Sequence, residues 1–339
     1  AQPRARWVLI RDGVIAALGQ GDPPDAAERI DAGGRLVLPG FQDAHIHLLS
    51  GGLDLATSAP LYDATSPAEL CHRMARHARS RPDLPILIGA GWQAGYFGDH
   101  NLTAALLDPV TGDRPCVIYD SSFHNACLNS TALALAGIDR DTPDPANGHI
   151  LRDSRGCATG ILHEEAIPWA LERLPALTEE HWMQGLLAGQ AHANACGLTG
   201  VLDPKITAQE HAIYRRAQAD GRLSLRVAGA GLVTEADTPE TATARLERMR
   251  AEAPGPEYHL QSAKFFMDGV FENRTAATLA DFADAGGGRA DCMFGARQTR
   301  ALMTALDAAR FAIHVHVIGD AAARRAIEEI ADIGADKAG

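Results

Sequence analysis

The sequence predicts an α/β fold in which strands alternate with helices around a parallel sheet. Six apolar runs are typical of strands, and helical stretches separate several of them. With 339 residues, of which 46% are hydrophobic, the chain is long enough to bury a large core. The predicted strands are Phe41 to Leu48, Pro85 to Gly91, Gly197 to Asp203, Leu223 to Gly229, His259 to Met267 and Phe311 to Ile318, and the predicted helices cover residues 66–80, 178–195, 238–252 and 297–310.

Two regions depart from this alternation. Residues 6–40 contain short alternating segments split by glycine turns, the last of them Arg35-Leu-Val-Leu, and they predict a small β-module. Residues 93–170 are rich in Gly, Asp, Pro and Asn, so we expect an insertion that carries loops. The predicted organisation is therefore a module at residues 1–40 followed by a large domain at residues 41–339.

Composition narrows the classes of partner and the compartment. The net charge of −12 argues against a nucleic acid or an anionic membrane as the main partner, so we expect a small-molecule substrate. None of the six cysteines forms a Cys-x-x-Cys pair, which favours reduced thiols in the cytoplasm. We find neither a signal-peptide pattern nor an apolar run of roughly 18 residues. The sequence does not set the oligomeric state, and a homo-oligomer stays open.

Two histidines spaced two apart mark the end of the first predicted large-domain strand, in Asp43-Ala-His45-Ile-His47. On an extended strand both imidazoles leave the same face, so they can bind one metal ion. A pair of this kind also arises by chance on a polar strand face. Its position at the carboxyl end of a strand, where barrel enzymes assemble their sites, favours metal binding.

A second pair with the same spacing, His314 and His316, ends the last predicted strand. His316 lies nearest the strand end and is the stronger ligand candidate. His314 lies one layer deeper, where a hydrogen-bonded core histidine or a residue supporting the ligands is an equal alternative.

Lysine is rare in this chain, since only Lys205, Lys264 and Lys337 occur among 31 basic residues. Lys264 interrupts an apolar strand, where a buried ammonium is costly unless it is paired or neutral. A neutral lysine can react with carbon dioxide to give a carbamate, which bridges two metal ions. A pair with Asp268 is the alternative, and Lys205, which follows a proline, is expected in a solvated loop.

Several ordered segments together resemble the amidohydrolase superfamily, specifically the amidohydrolase family 3 branch that includes N-substituted formamide deformylases. They span nearly the whole chain, and their joint order is more specific than any one pair of histidines. The matching segments are Leu38-Pro-Gly-Phe-Gln-Asp-Ala-His-Ile-His, Gly91-Trp92, His124-Asn-Ala-Cys-Leu-Asn-Ser-Thr-Ala-Leu, Thr159-Gly-Ile-Leu-His-Glu-Glu-Ala, Gly197-Leu-Thr-Gly-Val-Leu-Asp, Lys264-Phe-Phe-Met-Asp-Gly-Val, Arg274-Thr-Ala and His316-Val-Ile-Gly-Asp.

The resemblance implies a (β/α)8 TIM-like barrel beside a small β-sandwich, with one or two divalent metal ions, usually zinc, at the barrel mouth. It implies His45, His47 and His316 as metal ligands and Lys264 as the lysine that this superfamily often carbamylates. Substrate contacts are expected at Trp92, His124 and Arg274, with core packing as the equal alternative for Trp92. The short run His163-Glu164-Glu165 is expected to serve mainly as a solvated start of a helix.

The family pattern continues with a further histidine and then an aspartate, and neither has a counterpart before Gly339. We therefore expect an incomplete barrel in this chain and assign no catalytic acid or base. The implied reaction is hydrolysis of a non-peptide carbon–nitrogen bond by metal-activated water. The alternatives are a non-catalytic metal-binding or small-molecule-binding barrel, an inactive fragment, or a one-metal site in which Lys264 stays an ammonium.

Overall fold

The computed structural model describes residues 4–93, 101–271, 274–283 and 286–338, the side chains only as far as residue 334. The chain divides into two compact units, Ala1–Gly40 and Phe41–Gly339.

The first unit contains one antiparallel hairpin, formed by β1 (Trp7–Arg11) and β2 (Val14–Gly19). Asp12 and Gly13 make its two-residue turn, and both have positive φ, as the twist of a tight hairpin requires. The expected strand at Arg35-Leu-Val-Leu is wrong for the described residues, because that segment pairs with no other strand. Alternating apolar residues give a strand only where a neighbouring strand supplies hydrogen bonds.

The second unit is a mixed α/β structure. Its helices are α1 (Leu48–Thr57), α2 (Pro67–Ser80), α3 (Ala104–Thr111), α4 (Ser130–Ala136), α5 (Ala166–Leu171), α6 (Glu179–Ala195), α7 (Ala208–Ala219), α8 (Pro239–Glu252), α9 (Ala296–Ala308) and α10 (Asp320–Ala338). Its strands are β3 (Phe41–Asp43), β4 (Ser58–Pro60), β5 (Leu87–Trp92), β6 (Cys116–Asp120), β7 (Asn125–Leu128), β8 (Gly148–Arg152), β9 (Ala158–Glu164), β10 (Leu198–Ile206), β11 (Arg226–Leu232), β12 (Tyr258–Phe266) and β13 (Ala312–His316). The four helices predicted from the sequence are confirmed as α2, α6, α8 and α9 within a few residues.

Threonine caps explain why three of these helices begin where they do. The side chains of Thr178, Thr207 and Thr238 each accept a hydrogen bond from the backbone N–H three residues on. In each case the side chain at that third position accepts a hydrogen bond from the threonine backbone N–H. These reciprocal bonds satisfy two backbone donors that the first helical turn leaves without partners.

Five strands form a parallel sheet in the order β13-β12-β11-β10-β3, which is the half-barrel of the fold. Apolar residues of α1 and α6 to α9 pack with those of the sheet in one core cluster. Because all five strands are parallel, their carboxyl ends lie at the same edge. The predicted α/β barrel architecture, incomplete in this chain, is thereby confirmed.

The six other strands of this unit form a second sheet, ordered β4-β5-β6-β7-β9-β8 with parallel and antiparallel pairs. The prediction that Pro85 to Gly91 is a barrel strand is wrong, because β5 pairs with β4 and β6 in this second sheet. An apolar run indicates a buried strand without indicating which sheet buries it. Two further apolar clusters pack in this region. In the described part of the chain, no helix is long and apolar enough to span a membrane.

Candidate metal centre

The first histidine pair lies just beyond the end of β3. The strand ends at Asp43, so His45 and His47 lie two and four residues beyond it. The expectation that they stand on the strand itself is wrong. The Asp43 carboxylate accepts a hydrogen bond of 2.9 Å from the His45 backbone N–H. The backbone of Ile46 donates to the Leu202 carbonyl in β10, so the loop stays attached to the sheet. The two imidazole rings are 5.7 Å apart, edge to face.

The second pair comes from the opposite edge of the same sheet. In the pairing of β12 with β13, Lys264 lies opposite His314 and Phe266 lies opposite His316. In a flat sheet, four spacings of about 4.8 Å would separate β13 from β3 by roughly 19 Å. Nε2 of His314 is nevertheless 3.0 Å from Nδ1 of His45. The sheet therefore curls, and its two outer strands bring their histidines together across the concave side.

His314 and His316 are placed differently from the sequence expectation. His314 makes the direct contact with His45, whereas Nε2 of His316 lies 3.3 Å from the Gly269 carbonyl oxygen. The His316 ring also packs at 5.1 Å from the ring of Phe266. The sequence favoured His316 as the ligand and left His314 open between a ligand and a core or supporting histidine, and the contact with His45 is an observation in favour of His314.

Lys264 is 1% exposed, and its ammonium lies 4.5 Å from the centre of the Phe266 ring. No ion pair joins it to Asp268 in the described residues, so the alternative pairing is not found. Asp268 instead accepts bonds from the backbone N–H groups of Ala277, Ile318 and Gly319, which ties together the loops after β12 and β13. Burial, with a smaller effect of the Lys205 charge, lowers the pKa of Lys264 to about 8.

The histidines are held in their neutral form. Burial, and next the charge of Lys264, lowers the pKa of His47 and of His314 to about 4. Burial also lowers the pKa of His45 and of His316. A neutral imidazole keeps a nitrogen lone pair, which is the form that binds a metal ion.

The donor types fit a divalent metal ion. Two nitrogen ligands on one tetrahedral zinc, with bonds of about 2.0 Å, are roughly 3.3 Å apart, close to the 3.0 Å between the His45 and His314 nitrogens. Within the described ranges, no group of three His, Cys, Asp or Glu side chains surrounds a single metal position. The described residues therefore bring one pair of suitable nitrogen donors together at this position.

Of the expected substrate contacts, His124 is connected to the half-barrel through Glu164. Its Nδ1 is 2.9 Å from Oε2 of Glu164, and Oε1 of Glu164 accepts a 3.0 Å bond from the Thr275 hydroxyl in the loop after β12. The charge of His124 also contributes to the lowered pKa of His316, after the larger effects of burial and of the Lys264 charge. Glu164, expected to be a solvated helix residue, thus joins the second sheet to the half-barrel, and its positive φ of 50° marks a strained backbone.

The other two expected contacts are placed less directly. Trp92 ends β5 and is 2% exposed within an apolar cluster, which agrees with the core-packing alternative. Arg274 lies in the loop after β12 with a positive φ of 59°. Its guanidinium donates to the Gly287 carbonyl and lies 5.0 Å from the Phe282 ring centre. Arg274 therefore stabilises its own loop in this conformation.

Two residues near the centre were not identified from the sequence. Lys205 was expected in a solvated loop, but it belongs to β10 and its charge acts on both His47 and Lys264. Asp203 is 2% exposed, and its Oδ2 accepts bonds from the Tyr214 hydroxyl at 2.7 Å and from the Leu49 backbone at 3.3 Å. The sequence signal available for both residues was the carboxylate of Asp203 inside an apolar strand, followed by a proline and then Lys205.

Asp203 makes the stability of the fold depend on pH. Burial raises the pKa of Asp203 from 3.8 to about 7, so the folded chain keeps a proton that the unfolded chain releases near pH 4. The free energy of unfolding should therefore fall as pH rises from about 4 to 7. Asp203→Asn should flatten this slope and stabilise the fold at pH 8 by at most about 4 kcal/mol, measured by urea unfolding. Asp113→Asn, which removes an exposed carboxyl, is the control, and an unchanged slope in Asp203→Asn would contradict the assignment.

A curled parallel sheet with histidines and a buried lysine near the carboxyl ends of its strands is typical of one class of fold, that of the amidohydrolases. The chain belongs to the Amidohydrolase family, whose sequence profile matches residues 28–339. Divalent metal is the cofactor that this family implies.

Individual relatives agree with this membership. YtcJ of Bacillus subtilis (strain 168), by name an amidohydrolase, is 30% identical over 298 residues, which cover 83% of this chain and 54% of YtcJ. The N-substituted formamide deformylase of Arthrobacter pascens is 34% identical over 240 residues, covering 65% of this chain and 42% of that enzyme. The chain thus spans about half the length of these curated relatives.

A solved structure supports the fold independently. The crystal structure of an uncharacterized metal-dependent hydrolase from Pyrococcus horikoshii OT3 superposes with a TM-score of 0.67 at 24% sequence identity. The superposition covers 87% of this chain and 56% of that protein.

Proposed function

We propose that the protein is a metal-dependent hydrolase that cleaves an amide-type carbon–nitrogen bond of a small molecule. One observation carries this proposal: His314 of β13 and His45, which follows β3 at the opposite edge of the half-barrel, lie 3.0 Å apart, and β13 pairs with the strand that holds the buried Lys264. Neutral imidazoles and a lysine of lowered pKa have little value for stability in such a place, because each is a polar group partly removed from water. They have value as metal ligands.

The proposed ligands are His45, His47 and His316, with Lys264 as a carbamate, and the proposed metal is zinc. The lowered pKa of Lys264 supports the carbamate, because only the neutral amine reacts with carbon dioxide and burial favours that form. His314 enters as a candidate in place of His316, or in support of it, because of its contact with His45.

Such a metal ion supplies, when bound, an acidified water and a polarised carbonyl. The residues of this chain then serve to bind and orient the substrate. His124 precedes a strand of the second sheet, and Glu164 bonds its ring. Arg274 lies in the loop after β12, and its neighbour Thr275 donates a hydrogen bond to the same Glu164. We assign no general acid or base among the described residues. The free state of all six cysteines supports a cytoplasmic location as part of the same proposal.

The resemblance to a formamide deformylase makes N-substituted formamides the first substrates to test. Amine release should be detectable in protein loaded with zinc, should disappear after removal of the metal with a chelator, and should return when zinc is added back. Turnover that survives chelation would refute the metal-dependent mechanism. Stoichiometric metal binding without hydrolysis of any formamide, amide or cyclic amide would instead favour the non-catalytic barrel.

A further inference from the structure

A β-bulge in β10 sets the position of Lys205. Asp203 pairs with Gly229 of β11, and Ile206 pairs with Gly231, so three steps along β10 match two steps along β11. The extra residue falls at Pro204 or Lys205. Bulges are common at the rims of barrels next to active sites, where they redirect a side chain. A proline, which cannot donate to the ladder, suits this position.

The bulge moves Lys205 to the face of the sheet opposite Asp203. Asp203 faces the helices, because it accepts a bond from Tyr214 of α7, and Ile206 is fully buried in the core cluster shared with those helices. In a regular strand, residues 203 and 205 would share a face and the lysine would enter the helical core. With one extra residue inserted, Asp203 and Ile206 both face the helices while Lys205 stays partly exposed.

The electrostatic effects of Lys205 agree with this placement. Its positive charge lowers the pKa of Lys264, second to burial, and contributes to the low pKa of His47 after burial, Lys264 and His45. It also opposes the rise in the pKa of Glu165, which burial causes first and the charges of Glu235 and Glu164 increase. The strand order gives the same placement, because Lys205 lies near the carboxyl end of β10, which pairs with β3, the strand that His45 and His47 follow.

Lys205 has no ion-pair partner among the residues that the structure describes. This is unexpected in a chain with 43 acidic and 31 basic residues, where most of the partly buried arginines bond carboxylates or carbonyl groups. Glu165 lies near enough to feel its charge but does not form the pair. A partly exposed ammonium is thus held at the mouth of the centre, with its hydrogen-bond donors free for a ligand.

We propose, on the basis of the amide hydrolysis proposed above, that Lys205 binds a carboxylate of the substrate, so that the preferred substrates are amides carrying an acidic group. An ammonium and a carboxylate form charge-assisted hydrogen bonds, which are stronger than neutral ones when both groups are partly removed from water. The same charge would orient the amide bond toward His45 and His47.

Binding of matched ligands tests this inference separately from turnover. The probes are N-acetylglycine and N-methylacetamide, which share the amide and differ by the carboxylate, titrated by NMR into metal-depleted protein. Wild type should prefer N-acetylglycine. Lys205→Met should weaken its binding by about tenfold and leave N-methylacetamide unchanged, while Lys205→Arg keeps most of the preference. Arg248→Met, which removes an exposed charge on α8, should change neither affinity.

Equal binding of N-acetylglycine to wild type and to Lys205→Met overturns the inference, as does a wild type without preference for the acid. Lower thermal stability in Lys205→Met and Glu165→Gln alike, with unchanged ligand binding, overturns it in favour of a structural role in which Lys205 pairs with Glu165. Because the measurement uses no metal and no hydrolysis, a chain that binds the acid through Lys205 but cleaves no amide refutes the proposed function alone.

Discussion

His45→Ala should abolish zinc binding and, with it, any hydrolysis of formamides. His45 is the histidine that contacts the opposite edge of the sheet, so its loss separates the two halves of the candidate centre. Even groups that only support a metal ligand are worth about 10- to 100-fold in metal affinity, so loss of a ligand should cost more than about 100-fold. Elemental analysis of dialysed protein measures the change, alongside a zinc titration.

A matched control and a second pair of variants sharpen this experiment. His72→Ala removes an exposed histidine of α2 and should keep the full metal content. His314→Ala and His316→Ala distinguish the two candidates on β13. The variant that lacks a metal ligand should lose the metal, whereas the variant that lacks a supporting residue should bind it about 10- to 100-fold more weakly. Full zinc occupancy in His45→Ala and in both β13 variants would refute the site.

The fold was largely predictable because its signals are local. The helices α6 and α8 begin at threonines whose capping pattern is readable in the sequence, and β12 is an apolar run bounded by turn residues. What failed was the assignment of strands to sheets. The residues of β5 resemble those of a barrel strand, and only their pairing with β4 and β6 places them elsewhere. Pairing is a long-range property, which composition and periodicity do not contain.

The candidate centre was also predictable only in part: the sequence identified its residues but not their arrangement in space. Spacing identified the histidine pairs, since side chains two apart share a face. It could not show that the sheet curls enough for His314 to reach His45, because curvature depends on the packing of all five strands. Lys205 was misplaced for a related reason: the proline before it suggested a loop, and the bulge that keeps it in β10 is visible only in the register against β11.

Replacement of Lys264 should lower the number of zinc ions bound per chain. It should also remove the dependence of zinc binding on carbon dioxide. Its side chain is 1% exposed and has no carboxylate partner among the described residues, so a permanent charge at this position is costly. Carbamate formation would exchange the cation for an anionic oxygen ligand, whose charge bound metal ions would offset. Lys264→Ala should therefore bind less zinc than wild type, and protein prepared without carbon dioxide or bicarbonate should share the defect.

Rescue by a small carboxylic acid distinguishes a lost ligand from a damaged fold. Propionate can occupy the space left in Lys264→Ala and offer carboxylate oxygens where the carbamate would lie, so zinc content should rise with propionate concentration. Lys205→Met should hold zinc at the wild-type level without propionate, because Lys205 lies on β10, two strands away from Lys264 in the sheet, and is proposed to contact substrate only. If Lys264→Ala binds as much zinc as wild type, and bicarbonate has no effect on either protein, Lys264 remains an ammonium and the centre holds a single ion.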